Sequence, residues 1–355
     1  MKTVVFLWCM ILSATVSGCG KSAAGAPDTE LPGPGPTAVR KRPASLGVVG
    51  DTANVTTPVK GGLVLMGGGA DVAAAFKWMI TRSGGGDVVI IRASGTDAYN
   101  PFVNELGTVN SVETLKIDSR ELANNDTVAY IIRNAEMLFI AGGDQSAYMN
   151  HWKGTKTAAA INYLLNEKKA PVGGTSAGCA ILGAAYFSGE NGSAVSEEVL
   201  KDPYQQTVTL HRNDFLHAPY LQKVLTDQHF LARNREGRLV TFLARAQKDW
   251  NVLVNGIAAD ERTAVCIDKD GVAKVMGSSK AYFVLPDASK SPEQVMPALP
   301  LVWNRNGQAL RVYEIQGSQE GNGIFDVATF STGKASGGTW YWWTVRDGML
   351  QKQEQ

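Results

Sequence analysis

Cysteine and histidine are scarce in this chain of 355 residues, with four of each, and net charge is almost absent. Of the cysteines, Cys9 lies inside an apolar N-terminal run and Cys19 just beyond it. Cys179 and Cys266 remain for the rest of the chain. One pair cannot make a disulfide framework, so both read as buried free thiols, and no His/Cys spacing resembles a zinc site. Lys plus Arg number 34 against 33 for Asp plus Glu, a net charge of +1. That excludes an overall field favouring nucleic acid or an anionic membrane surface. The apolar run Val4 to Leu12 is too short to span a bilayer as a mature helix, and no internal repeat is evident. Gly67-Gly68-Gly69 suggests a dinucleotide turn, but Val72 stands where G-x-G-x-x-G needs its last glycine. No nucleotide, metal or other cofactor is therefore expected.

A composition 44% hydrophobic is sufficient for a substantial core. Lys2, the apolar run and Val16-Ser17-Gly18-Cys19 read as a lipoprotein signal peptide over residues 1–18, with Cys19 as the lipidated first residue of the mature chain. The expectation is an exported protein held to the cell envelope by lipid alone. The outer membrane is favoured in a Gram-negative cell, because Gly20 and no aspartate follows Cys19. Residues 19–60 are rich in Gly, Pro, Ala, Ser and Thr, including Leu31 to Pro36, and read as a flexible tether.

From residue 61 apolar runs alternate with amphipathic segments. Strands are expected at Leu63–Met66, Asp87–Arg92, Val112–Ile117, Met137–Ala141 and Pro171–Gly173, with helices at Ala70–Thr81, Glu121–Asn134 and Thr155–Lys169. Continuous apolar strands separated by helices predict an α/β fold with an open, doubly wound, mostly parallel sheet. In such a sheet ligands bind beyond the carboxyl ends of the strands. Gly67–Gly69, Ser94-Gly95, Gly142–Gln145 and Gly174–Gly178 all fall at those ends. Residues 61–285 form the catalytic part of this scheme, and 286–355 a β-rich C-terminal extension packed on the same domain. Alternation within Trp340-Tyr341-Trp342-Trp343 puts Trp340 and Trp342 on one face and Tyr341 and Trp343 on the other, which favours packing over a carbohydrate platform.

Gly174-Thr175-Ser176-Ala177-Gly178 follows a strand and opens a helix, the setting of a nucleophile elbow. With 38 glycines in the chain the pattern alone is weak, and its context carries the reading. The base must be His151, His211, His217 or His229. His151, close behind the Gly142–Gln145 loop, is a serious rival, but His229 in Asp227-Gln228-His229-Phe230, ahead of Arg233, Arg235 and Arg238, is the best furnished.

Gly142-Gly143-Asp144-Gln145, the Gly174–Gly178 elbow, Asp227–Phe230 with the three arginines, and Ala259–Ala264 occur in the order found in cyanophycinases. The chain resembles that serine peptidase family, which is related to the aspartyl dipeptidases and has a fold similar to class I glutamine amidotransferases, a flavodoxin-like three-layer sandwich. The resemblance implies Ser176 as nucleophile, His229 as base and Glu190 as the acidic partner, with Glu197 and Glu198 as alternates. Asp260 and Glu261 are the competing acidic pair, assigned to support of the site. The oxyanion hole would use the amides of Ala177 and Gly143. Gln145, Asp227, Gln228, Arg233, Arg235 and Arg238 would shape a pocket for an aspartyl-arginine peptide or polymer. The implied activity is release of β-aspartyl-arginine dipeptides, with an aspartyl dipeptidase-like enzyme or a non-catalytic peptide-binding lipoprotein as alternatives and a homodimer left open. Asn234 departs from the family by standing where glycine is frequent.

Overall fold

The computed structural model describes residues 42–355. The signal peptide, Cys19 and the first half of the tether lie outside the described residues.

Two sheets organise the chain. The first draws on β1 (Ser45–Gly50), β2 (Gly62–Met66), β3 (Asp87–Arg92), β4 (Ser111–Lys116), β5 (Met137–Ile140) and β6 (Pro171–Thr175). Its order begins β1-β4-β3-β5-β6-β2, and all neighbours from β4 to β2 are parallel. The parallel centre is apolar on both faces for a packing reason. Leu63, Leu65, Val89 and Ile91 enter one hydrophobic core, while Val64, Met66, Val88 and Ile90 enter another. Each aliphatic side chain removed from water on either face contributes about 1.5–3 kcal/mol, so the unbroken runs Val88–Ile91 and Leu63–Met66 stabilise only a strand covered twice.

Helix α1 (Ala73–Ser83) covers one face through Phe76, Met79 and Ile80. After α2 (Tyr99–Glu105), the segment expected as one helix over 121–134 divides into α3 (Arg120–Ala123) and α4 (Asp126–Asn134). The break falls where the Asn125 side chain caps the Thr127 and Val128 amides and restarts the helix. Next come α5 (Gln145–Trp152), α6 (Lys156–Tyr163) and the single-turn α7 (Ala177–Ala180). The α6 segment runs into a wide turn, Leu164–Lys168, that ends at Lys169 with a left-handed backbone.

The second sheet is mixed, a layer that the single open sheet expected from the sequence does not include. After β7 (Ala185–Phe187), α8 (Ser196–Lys201) and β8 (Leu210–Arg212) come β9 (Val224–Gln228), α9 (Glu236–Trp250) and β10 (Asn255–Ala259). The chain then returns to the first sheet with β11 (Thr263–Asp268) and β12 (Val272–Gly277) and alternates between sheets through β13 (Lys280–Pro286), β14 (Leu310–Gln316), β15 (Ile324–Asp326), β16 (Thr339–Arg346) and β17 (Met349–Glu354). Strands β11, β12 and β15 extend the first sheet beyond β2, and the second has the order β17-β16-β14-β13-β10-β9-β7-β8. Ile257, Phe283 and Tyr313 on one of its faces share a core with Val265 and Ile267 of the first sheet, and α9 covers the other through Leu239, Phe242 and Leu243.

The tether reading fails within residues 42–60. Ser45–Gly50 forms an edge strand antiparallel to β4, and Arg42 ion-pairs with the buried Glu113. An edge strand open to solvent carries no clean apolar alternation, which is why its sequence resembles a linker. Cys179 and Cys266 are buried and form no disulfide among the described residues, and burial pushes the Cys266 thiol up to about 12. Among the described residues, no helix is long and apolar enough to cross a membrane, and no cluster of His, Cys, Asp and Glu could hold a metal.

Candidate active site

Ser176 sits between β6 and α7 with φ 51° and ψ −117°, outside the regions ordinary residues populate. Its glycine neighbours are required sterically. A Cβ on Gly174 would lie 2.4 Å from the Gly178 oxygen, and one on Gly178 would lie 2.2 Å from the Ile140 oxygen. The Ser176 amide donates to the Met66 carbonyl at 3.1 Å, which ties the elbow to the end of β2.

His229 follows β9 immediately and also has a positive φ, 49°. Its amide donates to the Gly67 carbonyl at 2.7 Å, so the triple-glycine turn after β2 joins the two sheets at this point. Gly68 packs directly on the imidazole, and a Cβ there would lie 2.3 Å from His229 Cε1. The glycines that suggested a nucleotide turn thus make room for a histidine.

Ser176 Oγ and His229 Nε2 are 2.7 Å apart, and His229 Nδ1 and Glu261 Oε1 are also 2.7 Å apart. With Nδ1–H donating to the carboxylate, Nε2 is free to accept the serine proton. Burial lowers the imidazole pKa, and the Glu261 hydrogen bond opposes that shift. Arg233 and Arg235 nearby add to the lowering. The resting histidine is therefore biased to the neutral form a base requires.

The acidic partner differs from the one expected. Glu190 lies beyond β7 and accepts from Ser188 Oγ at 3.2 Å and meets His211 Nε2 at 3.0 Å, so it serves another histidine. Glu197 and Glu198 are exposed in the first turn of α8. Glu261 reaches His229 because β9 and β10 run parallel with Gln228 opposite Ala259, so the residues just past the two strand ends become neighbours. A sequence signal for this existed in the acidic pair at the end of the strand after the histidine strand, but it is readable only once those strands are known to be parallel neighbours. Asp260 has the supporting role expected of it. It accepts from the Leu231 and Ala232 amides at 2.9 Å and from Ser279 Oγ, fixing the turn that follows His229.

Ser176 and His229 open onto a cavity of about 290 Å³ lined also by Gly143, Gln145, Gln228, Arg233, Arg235 and Arg238. Gly142 lies beside the serine, and Ala177 follows it as the first residue of α7. Asp144 caps α5 by accepting from the Ser146 amide at 2.9 Å, placing Gln145 at the rim. Arg233 is exposed at the mouth. Arg235 is buried, donates to the Gln228 carbonyl at 2.9 Å, and is lowered to about 10 by burial and by Arg238. Gln228 Oε1 is buried with no hydrogen-bond partner among the described residues, an acceptor awaiting a donor.

Asp227 and Arg238, both expected to contact substrate, are instead committed to each other. Arg238 Nε donates to Asp227 Oδ2 at 2.9 Å and its Nη2 to Oδ1, and the two side chains are only 1% and 2% exposed. Of the pair, Arg238 lines the cavity and Asp227 lies behind it. Asn234 has φ 49°, a left-handed conformation that asparagine tolerates better than most residues, which explains how it can occupy a position where glycine is frequent.

The profile of peptidase family S51 matches residues 63–275. The chain belongs to peptidase family S51. It is a serine-type, cyanophycinase-like peptidase. It is 29% identical over 237 residues to a cyanophycinase of Synechococcus elongatus, covering 63% of this chain and 68% of that enzyme. Over 188 residues it is 29% identical to a cyanophycinase of Trichormus variabilis, covering 53% and 57%. A solved peptidase from an acI-B1 Actinobacterium matches 69% of this chain and 93% of its own at 17% identity and TM-score 0.45.

Proposed function

We propose that this S51 peptidase hydrolyses cyanophycin or related aspartyl peptides through an acyl-enzyme, releasing dipeptides of the β-aspartyl-arginine type. The carrying observation is the continuous line Ser176, His229, Glu261 opening onto a cavity with three arginines and a glutamine oxygen unpartnered among the described residues. Ser176 Oγ attacks the scissile carbonyl carbon while its proton passes to His229 Nε2. Glu261 holds the imidazole through Nδ1–H and stabilises the imidazolium. The amides of Ala177 and Gly143 face the developing oxyanion. Collapse of the tetrahedral adduct breaks the C–N bond, His229 gives its proton to the leaving amine, and water then repeats the cycle to release the acid.

Arg233 and Arg235 suit the free carboxylates of an aspartyl substrate. The Gln228 oxygen suits an N–H donor such as a guanidinium or amide. Gln145 closes the rim. Asp227 and Arg238 act indirectly in this scheme, fixing Gln228 and Arg235 in place. The enzyme is further proposed to be exported and anchored to the envelope by lipid on Cys19.

The test is incubation of the mature protein with purified cyanophycin, with Ser176→Ala as control. Soluble dipeptides are expected from the wild type and none from the variant. Intact polymer together with turnover of short aspartyl dipeptides would replace the first reading by an aspartyl dipeptidase-like one, which the small cavity accommodates. Fatty-acid labelling should mark the wild-type chain and spare Cys19→Ser, and absence of label from both removes the lipid anchor.

A further inference from the structure

Of the four consecutive aromatics in β16, three are absorbed by packing. Trp343 is buried against Phe230 and Tyr282, Tyr341 packs on the second sheet's outer core, and Trp340 lies 4.6 Å from the Tyr313 ring. Trp342 joins none of the hydrophobic cores. It lines instead a cavity of about 410 Å³ with Leu253, Leu285, Lys290, Arg311 and Thr332.

Strand register explains the grouping. Arg311 pairs with Trp342 on one side and Leu285 on the other, so all three project from the same face of the sheet. Two cations reach this cavity. Lys290 Nζ lies 4.4 Å from the centre of the Trp342 ring, and its backbone is pinned by Trp303 Nε1, which donates to the Lys290 carbonyl at 2.6 Å. Arg311 packs over Trp340 at 4.5 Å, and its Nε is buried without a hydrogen-bond partner among the described residues. Among the described residues neither cation has an ion-pair partner. Among the described residues Asp287 is the one acid lining the cavity; its Oδ1 accepts from the Ser289 amide and hydroxyl, and its carboxylate feels the Lys290 charge without forming a direct ion pair.

We propose that this cavity is an exosite for a carboxylate-bearing peptide segment, with the carboxylate on Arg311 and Lys290 and the adjoining methylenes on the Trp342 indole. A buried donor without an acceptor is costly and is relieved by an incoming anion. The apolar lining favours an acid on a carbon stem over a bare inorganic anion. The site lies at the opposite end of the second sheet from His229, because Pro286 closes β13, whose start lies beside the carboxyl end of β10. That separation is on the order of 20 Å. Binding a remote stretch of the same chain would raise the local concentration of cleavable ends at Ser176. The choice of an acidic peptide rests on the proposed substrate, whereas the cavity and its two cations do not.

The probe is hexa-aspartate, titrated calorimetrically into Ser176→Ala protein so that no turnover intervenes. Binding should persist when Arg233→Ala weakens the catalytic cavity, fall at least tenfold when Lys290→Glu is added, and weaken with salt. Lys290 is half-buried at the rim, so its reversal leaves the core intact; Arg311→Met provides a second variant, with near-ultraviolet dichroism reporting the fold. Unchanged binding in both folded variants, or no binding to the Arg233→Ala protein, overturns the exosite. Because the readout is binding, its failure is separate from failure of the hydrolytic reading.

Discussion

Glu261 Oε1 lies 2.7 Å from His229 Nδ1, across the turn that carries the chain from one sheet to the other. The contact depends on two strands ending side by side, and it decides which carboxylate a variant must remove. Glu261→Gln should lower kcat by about 10²–10⁴ while leaving the fold intact, by analogy with loss of the acidic member in other serine triads. Glu190→Gln should leave kcat within about twofold. Steady-state kinetics on both variants checks this, and a severe loss in Glu190→Gln alone would reverse the assignment.

The acid limb of the pH profile follows from the surroundings of His229. In the proposed mechanism neutral imidazole is the base, so kcat/KM should rise with pH as His229 loses its proton. Burial places that transition below the ordinary histidine value of about 6.5. Glu261 opposes the lowering, so Glu261→Gln should move the limb to still lower pH. Arg233 contributes to the lowering, so Arg233→Ala should move it upward. The measurement is kcat/KM from about pH 4 to 9, and a limb that stays fixed in both variants would show that another group titrates.

Gly68 can be separated from ordinary backbone strain. Gly68→Ala would place a methyl 2.3 Å from His229 Cε1 and displace the base, so kcat/KM should fall about a hundredfold. Gly154 also has a positive φ, 72°, but beyond its chain neighbours no atom of the described residues lies within 4 Å of its Cβ position. Gly154→Ala should cost about 1 kcal/mol of stability and leave activity unchanged. Paired melting curves and kinetics distinguish the two, and equal activity in both would detach Gly68 from the site.

The Asp227–Arg238 pair predicts a stability phenotype. Removing one member strands the other charge in the interior, so Arg238→Met or Asp227→Leu should each cost about 3–5 kcal/mol. The double variant should recover part of that loss, because no charge is then left uncompensated. Denaturant unfolding of the three proteins checks this. Additive losses would mean that the two residues act independently.

The parallel centre of the first sheet was legible in the sequence because a strand buried on both faces must be apolar throughout, as Asp87–Arg92 is. Ser176 was legible because two glycines at fixed spacing answer to a local steric demand. His229 was narrowed by the scarcity of histidine and by the block around it. The second sheet was harder to read, since β7 and β8 have three residues each and carry little periodicity. The edge strand Ser45–Gly50 was hidden by its exposure.

Local constraint is what the chain by itself determined: the elbow, the twice-covered strands, and the arginine-rich segment after the histidine. Pairings between distant segments were decided only by the tertiary structure. It set β9 beside β10 and so selected Glu261 over Glu190, and it turned Asp227 and Arg238 toward each other. It also left Trp342 outside the cores that took its three neighbours. The physical reason is the same in each case. Sequence records what one residue requires of its immediate backbone, whereas a hydrogen bond 2.7 Å long between residues 32 positions apart exists only once β9 and β10 pair and end side by side.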